Sequence, residues 1–137
     1  MKKKVDAVRN TIVIFLLSVV LGFQSCQQES SKYEIKYYEN GSFESIRAKQ
    51  GKKYHGESLW FYPSGMLQRK VIFENGKANG NAFTFYGSGA LKARYYWRSD
   101  KQIGFQTDYL DDTVGIITSV KEFDGSGKLI DIRKTGR

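Results

Sequence analysis

The segment of residues 56–67 returns 24 residues later as residues 80–91, and this internal repeat constrains the fold more than any other feature of the chain. Both copies contain an aromatic pair, a glycine three residues after the pair and an apolar residue two positions further on. The same frame reaches back to Tyr37, Tyr38 and Gly41, and forward to Gly104 and Tyr109. Repetition at a fixed period of this size is typical of structural units that stack side by side.

Each repeat is long enough for two short strands and two turns, and this regular spacing predicts strands throughout. The first strands are predicted at residues 33–39, 57–62, 81–86 and 105–110, and the second strands at 43–49, 67–74 and 91–98. The last unit is stretched, and it is predicted to contain one added strand at 114–123 and a closing strand at 129–134. The predicted fold class is therefore all-β, an antiparallel meander of repeated β-hairpins preceded by a signal-peptide helix.

The glycines have predicted roles in the backbone. Those that follow a serine or asparagine lie where a tight hairpin turn requires a positive φ angle: Gly41, Gly65, Gly76, Gly89 and Gly127. Three others are predicted to begin first strands, at a bulge or a close approach of two backbones: Gly56, Gly80 and Gly104.

Because side chains alternate between the two faces of a strand, residues 24 positions apart form columns across the repeats. The predicted core face collects the apolar columns: Ile35, Leu59, Phe83 and Thr107; Tyr37, Phe61, Phe85 and Tyr109; Leu67, Val71 and Phe73; Leu91, Tyr95 and Trp97. The opposite face mixes aromatic and basic residues and is the candidate interaction face: Tyr38, Trp60, Tyr62, Lys70, Tyr86 and Arg94. Its tyrosine column is either structural, since cross-strand aromatic pairs stabilise sheets by roughly 0.2–1 kcal/mol each, or part of a ligand-binding surface.

The amino terminus has the pattern of a secretory signal peptide. A basic segment, residues 1–9, precedes an apolar run at residues 12–23, which is shorter than the ~20 residues that a membrane-spanning helix needs. Cys26, the single cysteine of the chain, lies just after this run and excludes an internal disulfide. The predicted organisation is a signal peptide at 1–25, which the resemblance described next makes a lipoprotein signal peptide, a flexible tether at 26–32 and a β-repeat domain at 33–134.

The sequence around Cys26 resembles a bacterial lipobox, in which a large apolar residue lies three positions before the cysteine and a small one directly before it. Phe23 and Ser25 fit this pattern, and Gln24 departs from it. The resemblance implies acylation of Cys26 and therefore a membrane-anchored lipoprotein, in the outer membrane if the source is diderm, because Gln27 is not an aspartate. Ordinary signal cleavage that leaves a free thiol, and an uncut anchor helix, are the alternatives.

The charge of the chain favours anionic partners only moderately. The formal net charge is +8, but four basic residues and one acidic residue precede Cys26, so that the rest of the chain has 18 basic and 13 acidic residues, a net charge of +5. Because the sequence shows no clustered base-reading residues, nucleic acid is not an expected partner.

Enzymatic chemistry is not expected either. The single histidine, His55, lies in a polar turn and is interpreted as a solvated residue, not as a general base. The acidic residues of 108–124 lack the regular spacing of a calcium loop, so that no metal site, catalytic residue or cofactor is predicted.

The order of glycine, aromatic pair, glycine and apolar residue resembles the bacterial variant of the MORN repeat. Two units match well, Gly56 to Leu67 and Gly80 to Leu91, and the resemblance covers residues 37–132. It implies an antiparallel sheet of successive hairpins with structural or protein-contact roles, and some bacterial members are labelled antitoxins. Such a motif conveys fold more strongly than function.

Two functions from different classes follow. The first is a non-enzymatic, lipid-anchored module that binds another protein of the bacterial cell envelope, including a toxic partner that it restrains. The second is binding of glycan or peptidoglycan through exposed aromatic residues of the sheet.

Overall fold

The computed structural model describes residues 32–135, which form one antiparallel sheet of nine strands in sequence order. The strands are β1 Lys32–Tyr37, β2 Phe43–Gln50, β3 Lys53–Phe61, β4 Leu67–Glu74, β5 Lys77–Phe85, β6 Leu91–Arg98, β7 Lys101–Tyr109, β8 Ile117–Phe123 and β9 Leu129–Lys134. The predicted meander, its added strand and its closing strand are therefore confirmed. Among residues 32–135 no helix could cross a membrane. The predicted signal peptide and Cys26 lie outside the described residues.

The boundaries differ from the prediction mainly at the first strands. β3, β5 and β7 begin before their glycines, at Lys53, Lys77 and Lys101, because two-residue turns connect them to the preceding strands. β1 begins at Lys32, one residue inside the segment predicted as a tether. The first residues of these strands do not alternate between apolar and polar side chains, so the sequence pattern does not predict that the strands begin there.

Gly56, Gly80 and Gly104 lie inside their strands, with φ angles of 96°, 111° and 67°. On one side each glycine lies within a bulge: Asn79, Gly80 and Asn81, for example, lie opposite the single residue Ile72, and Gly104 is the first of three residues opposite Tyr95. On the other side each glycine pairs directly with an aromatic residue of the next strand, Phe73, Trp97 or Phe123. The predicted bulge is confirmed, and its positive φ explains why glycine occupies this position in each repeat.

The predicted turn glycines also have positive φ angles, between 82° and 92°: Gly41, Gly65, Gly76, Gly89 and Gly127. Four of them close five-residue loops, in which the glycine amide donates to the carbonyl of the first loop residue, as Gly65 does to Tyr62 at 2.8 Å. Gly76 instead follows Asn75 in a two-residue turn with both φ angles positive, the geometry that matches the twist of a hairpin.

The pairing of strands defines two faces of the sheet, because directly paired residues place their side chains on the same side. On the first, here called the Leu59 face, the residues that pair in succession are Ile46, Leu59, Lys70, Phe83, Arg94, Thr107 and Val120. On the second, the Val71 face, they are Arg47, Ser58, Val71, Ala82 and Tyr95.

This pairing overturns part of the predicted facial assignment. Leu59 and Phe83 do share a face, as predicted, but Lys70 and Arg94 lie on that same face, whereas Val71 and Tyr95 lie on the opposite one. The full set that was predicted with Leu59 and lies on the other face is Val71, Phe73, Tyr95 and Trp97.

The physical reason is a second bulge, next to each five-residue loop. Leu67 pairs with Phe61, but Arg69 pairs with Trp60, so that Gln68 is an extra residue and reverses the alternation of β4. Lys92 does the same in β6, where Leu91 pairs with Phe85 and Ala93 pairs with Thr84. Simple alternation from Leu67 therefore assigns the rest of β4 to the wrong face.

The cluster of buried residues that pack together is small and lies on the Val71 face, while two further buried apolar residues, Ala48 and Ile103, lie on the Leu59 face. Val71, Ala78 and Ala82 are buried, and four larger side chains pack against them: Trp60, Phe73, Tyr95 and Trp97. Within residues 32–135 no second layer covers the Val71 face, although a sheet normally buries its apolar side against another element. Arginines cover part of it instead, with the guanidinium carbon of Arg47 3.5 Å from the ring centroid of Tyr54 and that of Arg69 4.1 Å from Trp60.

We expect Gly80→Ala to lower the free energy of unfolding by about 1–2 kcal/mol, the usual cost of holding an L side chain in a left-handed conformation. The cost is one of backbone strain, because a Cβ at this position would meet Ile72 at an ordinary contact distance of 3.6 Å. Urea unfolding measures it. Gly87→Ala is the control, since Gly87 has no positive φ and open space around it, and should change stability by less than about 0.5 kcal/mol. Equal effects of the two changes would contradict the proposed role of φ.

Candidate interaction surface

The predicted tyrosine column forms a regular series of hydrogen bonds between repeats. The hydroxyl of Tyr38 donates to the carbonyl of Phe61 at 2.8 Å, and that of Tyr62 donates to the carbonyl of Phe85 at 2.8 Å. Tyr86 donates in the same way to the carbonyl of Tyr109 at 2.9 Å. Each tyrosine is the first residue of a five-residue loop and connects it to the end of the first strand of the next repeat.

This geometry gives the three tyrosines a structural role. Their rings are half-buried and their hydroxyls form hydrogen bonds within the molecule. Of the two roles considered for the tyrosine column, structural support and ligand binding, these contacts support the first. A hydrogen bond of this kind contributes about 0.5–1.5 kcal/mol net. That Tyr38, Tyr62 and Tyr86 also contact a partner stays a prediction.

Trp60 does not share a face with the basic residues of the candidate surface. It pairs with Arg69 and Ser45 on the Val71 face, and its ring centroid lies 6.4 Å from that of Phe73. The predicted grouping of Trp60 with Lys70 and Arg94 is therefore wrong, for the same reason of bulge-reversed alternation. Trp60 belongs to the core cluster, held between Arg69 and the partly buried aromatic residues.

Lys70 and Arg94 do lie together on the Leu59 face, one on each side of Phe83. Lys70 forms an ion pair with Glu57 of the neighbouring strand. Arg94 is exposed and lines a shallow groove of about 370 Å³ with Phe83, Tyr96 and Phe105. We call this the Arg94 groove.

Tyr96 and Phe105 were not among the predicted site residues. They leave 38% and 57% of their surfaces exposed, which is high for aromatic side chains in a sheet. A signal for Phe105 exists in the sequence, because its counterparts in the two preceding repeats are the polar residues Glu57 and Asn81. Since those two repeats form without an aromatic residue at this position, the repeat does not require one.

The acidic residues of the last unit are separated by the fold and serve local structure. Asp108 accepts hydrogen bonds from Lys121 at 2.7 Å and from Ser119 at 2.6 Å. Burial acts to raise the pKa of Asp108, but hydrogen bonds from Lys121, Ser119 and Gln106 outweigh it, and the net shift of this pKa is downward.

Asp112 and Asp124 organise the two loops that flank β8. Asp112 accepts from the amides of Val114 and Gly115 at 3.0 and 2.8 Å. Hydrogen bonds from Ser126 lower the pKa of Asp124, which closes its own turn. No group of three His, Cys, Asp or Glu side chains that could hold a metal ion occurs in the part of the chain that the structure describes.

His55 lies in β3 and not in a turn as predicted, at the end of the sheet that holds the two-residue turns. It is exposed, and its Nδ1 accepts from the amide of Asn75 at 3.4 Å, so it supports the adjacent two-residue turn.

One repeat of the chain is recognised by comparison with known families. Residues 54–75 match the family model described as the MORN repeat variant. They cover the hairpin of β3 and β4, the unit that contains Gly56, Trp60 and Gly65. This hairpin is similar to a MORN repeat variant. The strand pairing and loop geometry of β5 and β6 reproduce it 24 residues later. Comparison with the curated proteins and with the solved structures finds no match.

We expect Tyr62→Phe to lower the free energy of unfolding by about 0.5–1.5 kcal/mol, because it removes the hydroxyl that donates to Phe85 while it keeps the ring. The midpoint of urea unfolding measures this loss. Tyr96→Phe is the matched control, because it makes the same change at an exposed tyrosine of β6. A stability equal to that of the parent chain in both variants would show that the inter-repeat bond contributes nothing measurable.

Proposed function

We propose that this chain is a non-enzymatic interaction module, anchored by an acylated Cys26 in the bacterial cell envelope, which binds another envelope protein through the Arg94 groove. A toxic protein held in check at the envelope is one partner of this kind. The observation that carries the proposal is the grouping of Arg94 with the exposed rings of Tyr96 and Phe105 on one face of a rigid sheet. Tyrosine and arginine are among the residue types that carry most of the energy of protein interfaces.

The sheet itself suits a binding role. Antiparallel pairing fixes Phe83, Arg94 and Thr107 side by side, so the groove is formed before any partner arrives. A preformed surface loses little conformational entropy on binding, and this favours affinity. The guanidinium of Arg94 can take a carboxylate of the partner in bidentate fashion while the rings beside it bury apolar surface.

The anchor explains why such a module would act at a membrane. Cys26 lies only six residues before Lys32, the first residue of β1, so that acylation would hold the sheet close to the lipid surface. Several acyl chains at ~0.8 kcal/mol per buried methylene make this attachment effectively permanent.

Metabolic labelling with a palmitate analogue tests the anchor. The parent chain expressed in bacteria should incorporate the label and sediment with membranes, whereas Cys26→Ser should lose both properties, since Cys26 is the single cysteine. Ser25→Ala, which keeps a small residue before Cys26, is the control and should retain the label. Equal labelling of the parent chain and Cys26→Ser would contradict the anchor.

Quantitative capture from the bacterial envelope fraction tests the groove. Arg94→Ala and Phe105→Ala should each reduce recovery of the bound protein by about tenfold or more, because truncation of a residue that dominates an interface costs about 1.4–2 kcal/mol or more. Thermal unfolding should stay close to that of the parent chain, since both side chains are exposed.

Arg98→Ala and Val114→Ala are the matched controls, one basic and one apolar, both exposed and outside the groove. They should recover as much partner as the parent chain. Equal recovery by all four variants would contradict the groove as the binding surface.

Glycan binding is the second candidate, because the exposed rings of Tyr96 and Phe105 could stack on sugar rings. A glycan or peptidoglycan array separates the two functions. Binding that Phe105→Ala abolishes would favour glycan, and a signal no higher than background would remove this alternative.

A further inference from the structure

The strand β1 is an edge of the sheet with an apolar side. It pairs with β2 on one side, and in the described range 32–135 no strand pairs with its other side. Tyr33, Ile35 and Tyr37 alternate along it with 65%, 44% and 57% of their surfaces exposed. All three lie on the Leu59 face, because Ile35 pairs with Ile46 and Ile46 with Leu59. An edge strand with such a side presents unpaired backbone groups to another strand.

The sequence of β1 is complementary to itself in antiparallel orientation. If two copies pair with Ile35 at the centre, Ile35 lies opposite Ile35 of the second copy, and Tyr33 lies opposite Tyr37 of the second copy. On the other face Glu34 then lies opposite Lys36 of the second copy. The two-fold symmetry gives two Tyr33–Tyr37 pairs and two Glu34–Lys36 pairs, and the single Ile35 pair lies on the axis. Opposite charges and aromatic pairs directly across two strands each stabilise the pairing by roughly 0.2–1 kcal/mol.

Glu34 is ionised but is held toward its own sheet, so its attraction to Lys36 of the second copy is a charge attraction across the edge and not a new hydrogen bond. The carboxylate of Glu34 accepts hydrogen bonds from Tyr54 at 2.9 Å and from Lys49 at 3.1 Å, both on the side of β2 and β3. These bonds fix the side chain and favour its ionised form. Lys36, two residues along on the same side of β1, is exposed.

The other edge of the sheet is less suited to pairing. In β9 the residue Ile130 is an extra, bulged residue between Leu129 and Asp131, and Arg133 and Lys134 follow one another at its end. Bulges and charged side chains, lysine above all, are among the devices by which proteins protect edge strands from other strands. β1 has no bulge of its own, since the extra residue of its hairpin, Glu44, belongs to β2. It does carry charges, but Lys32, Glu34 and Lys36 alternate in sign along the strand, so they can face opposite charges in an antiparallel copy.

We propose that two copies of this chain associate through antiparallel pairing of their β1 strands about Ile35, to form one continuous sheet with a two-fold axis. Such an interface is isologous and closes after two copies, whereas pairing of β1 with β9 of another copy would produce open chains. The proposal is independent of the Arg94 groove, which lies on β5, β6 and β7.

Disulfide cross-linking of the full-length chain tests the register. In the Cys26→Ser background an introduced thiol is the only one, and Ile35→Cys places two thiols directly opposite each other across the axis. The Cα atoms of such a pair are about 4.5–5.5 Å apart, within the range that a disulfide spans. Under mild oxidation Ile35→Cys should form a covalent dimer on a non-reducing gel.

Ile132→Cys is the matched control, because Ile132 is also an isoleucine on an edge strand and has a similar exposure, 48% against 44%. It should remain monomeric. Equal cross-linking of the two variants would indicate random collision and would overturn the proposal, as would cross-linking of Ile132→Cys alone or of neither.

Sedimentation velocity over a range of chain concentrations provides a second measurement that does not depend on an introduced thiol. The parent chain should shift from monomer to dimer, and Ile35→Lys should remain a monomer because its two lysines would meet at the axis. Ile132→Lys should dimerise like the parent chain. A parent chain that stays monomeric at the highest concentration, or that grows beyond a dimer, would overturn the two-fold pairing.

Discussion

The hydrogen-bonded pairing of each strand with the next is the interaction on which the rest of this structure depends. The sheet has a single layer over residues 32–135, and its buried apolar residues are few and small, with Ser58 the largest side chain that is fully buried. Burial at about 25 cal/mol per Å² therefore contributes less than in a two-layer domain of this length. Two further contacts stabilise the sheet: tyrosine hydroxyls donate hydrogen bonds to the next repeat, and arginines stack on aromatic rings. Both kinds of contact connect residues that are close to each other in the sheet. Stability of this kind spreads from repeat to repeat.

Much of the fold could be predicted because the repeat places local signals at fixed positions. A glycine after Ser64 or Ser88 fixes a loop, and the aromatic pair before it fixes the end of a strand. These signals depend on the φ angle of one residue and on its neighbours, which a sequence shows directly. The order of nine strands then follows, because short loops connect strands that are adjacent in the sheet.

The faces could not be predicted because they depend on the register between strands. One extra residue, Gln68, changes which residues of β4 share a face with Trp60. Glutamine is common in regular strands and bulges alike, so its residue type does not predict the bulge. The same wrong face assignment affects the predicted interaction face. Lys70 and Arg94 were correctly grouped with each other, since both are one repeat apart in equivalent strands, but Trp60 was grouped with them across a pairing whose register was unknown.

The residues that interrupt the repeat are more informative about binding than those that maintain it. A side chain that recurs at every repeat, such as Tyr62 or Tyr86, is constrained by the neighbour that it contacts, so its recurrence is explained by the fold. Phe105 is not required by the repeat, because the sheet accepts Glu57 and Asn81 at the same place, although Tyr33 of the first unit is aromatic there as well. An exposed aromatic residue at a position that tolerates polar ones gains nothing from folding. In a repeat protein the residues that the repeat does not require are therefore the candidates for binding, and the proposed binding surface, the Arg94 groove, contains one of them, Phe105.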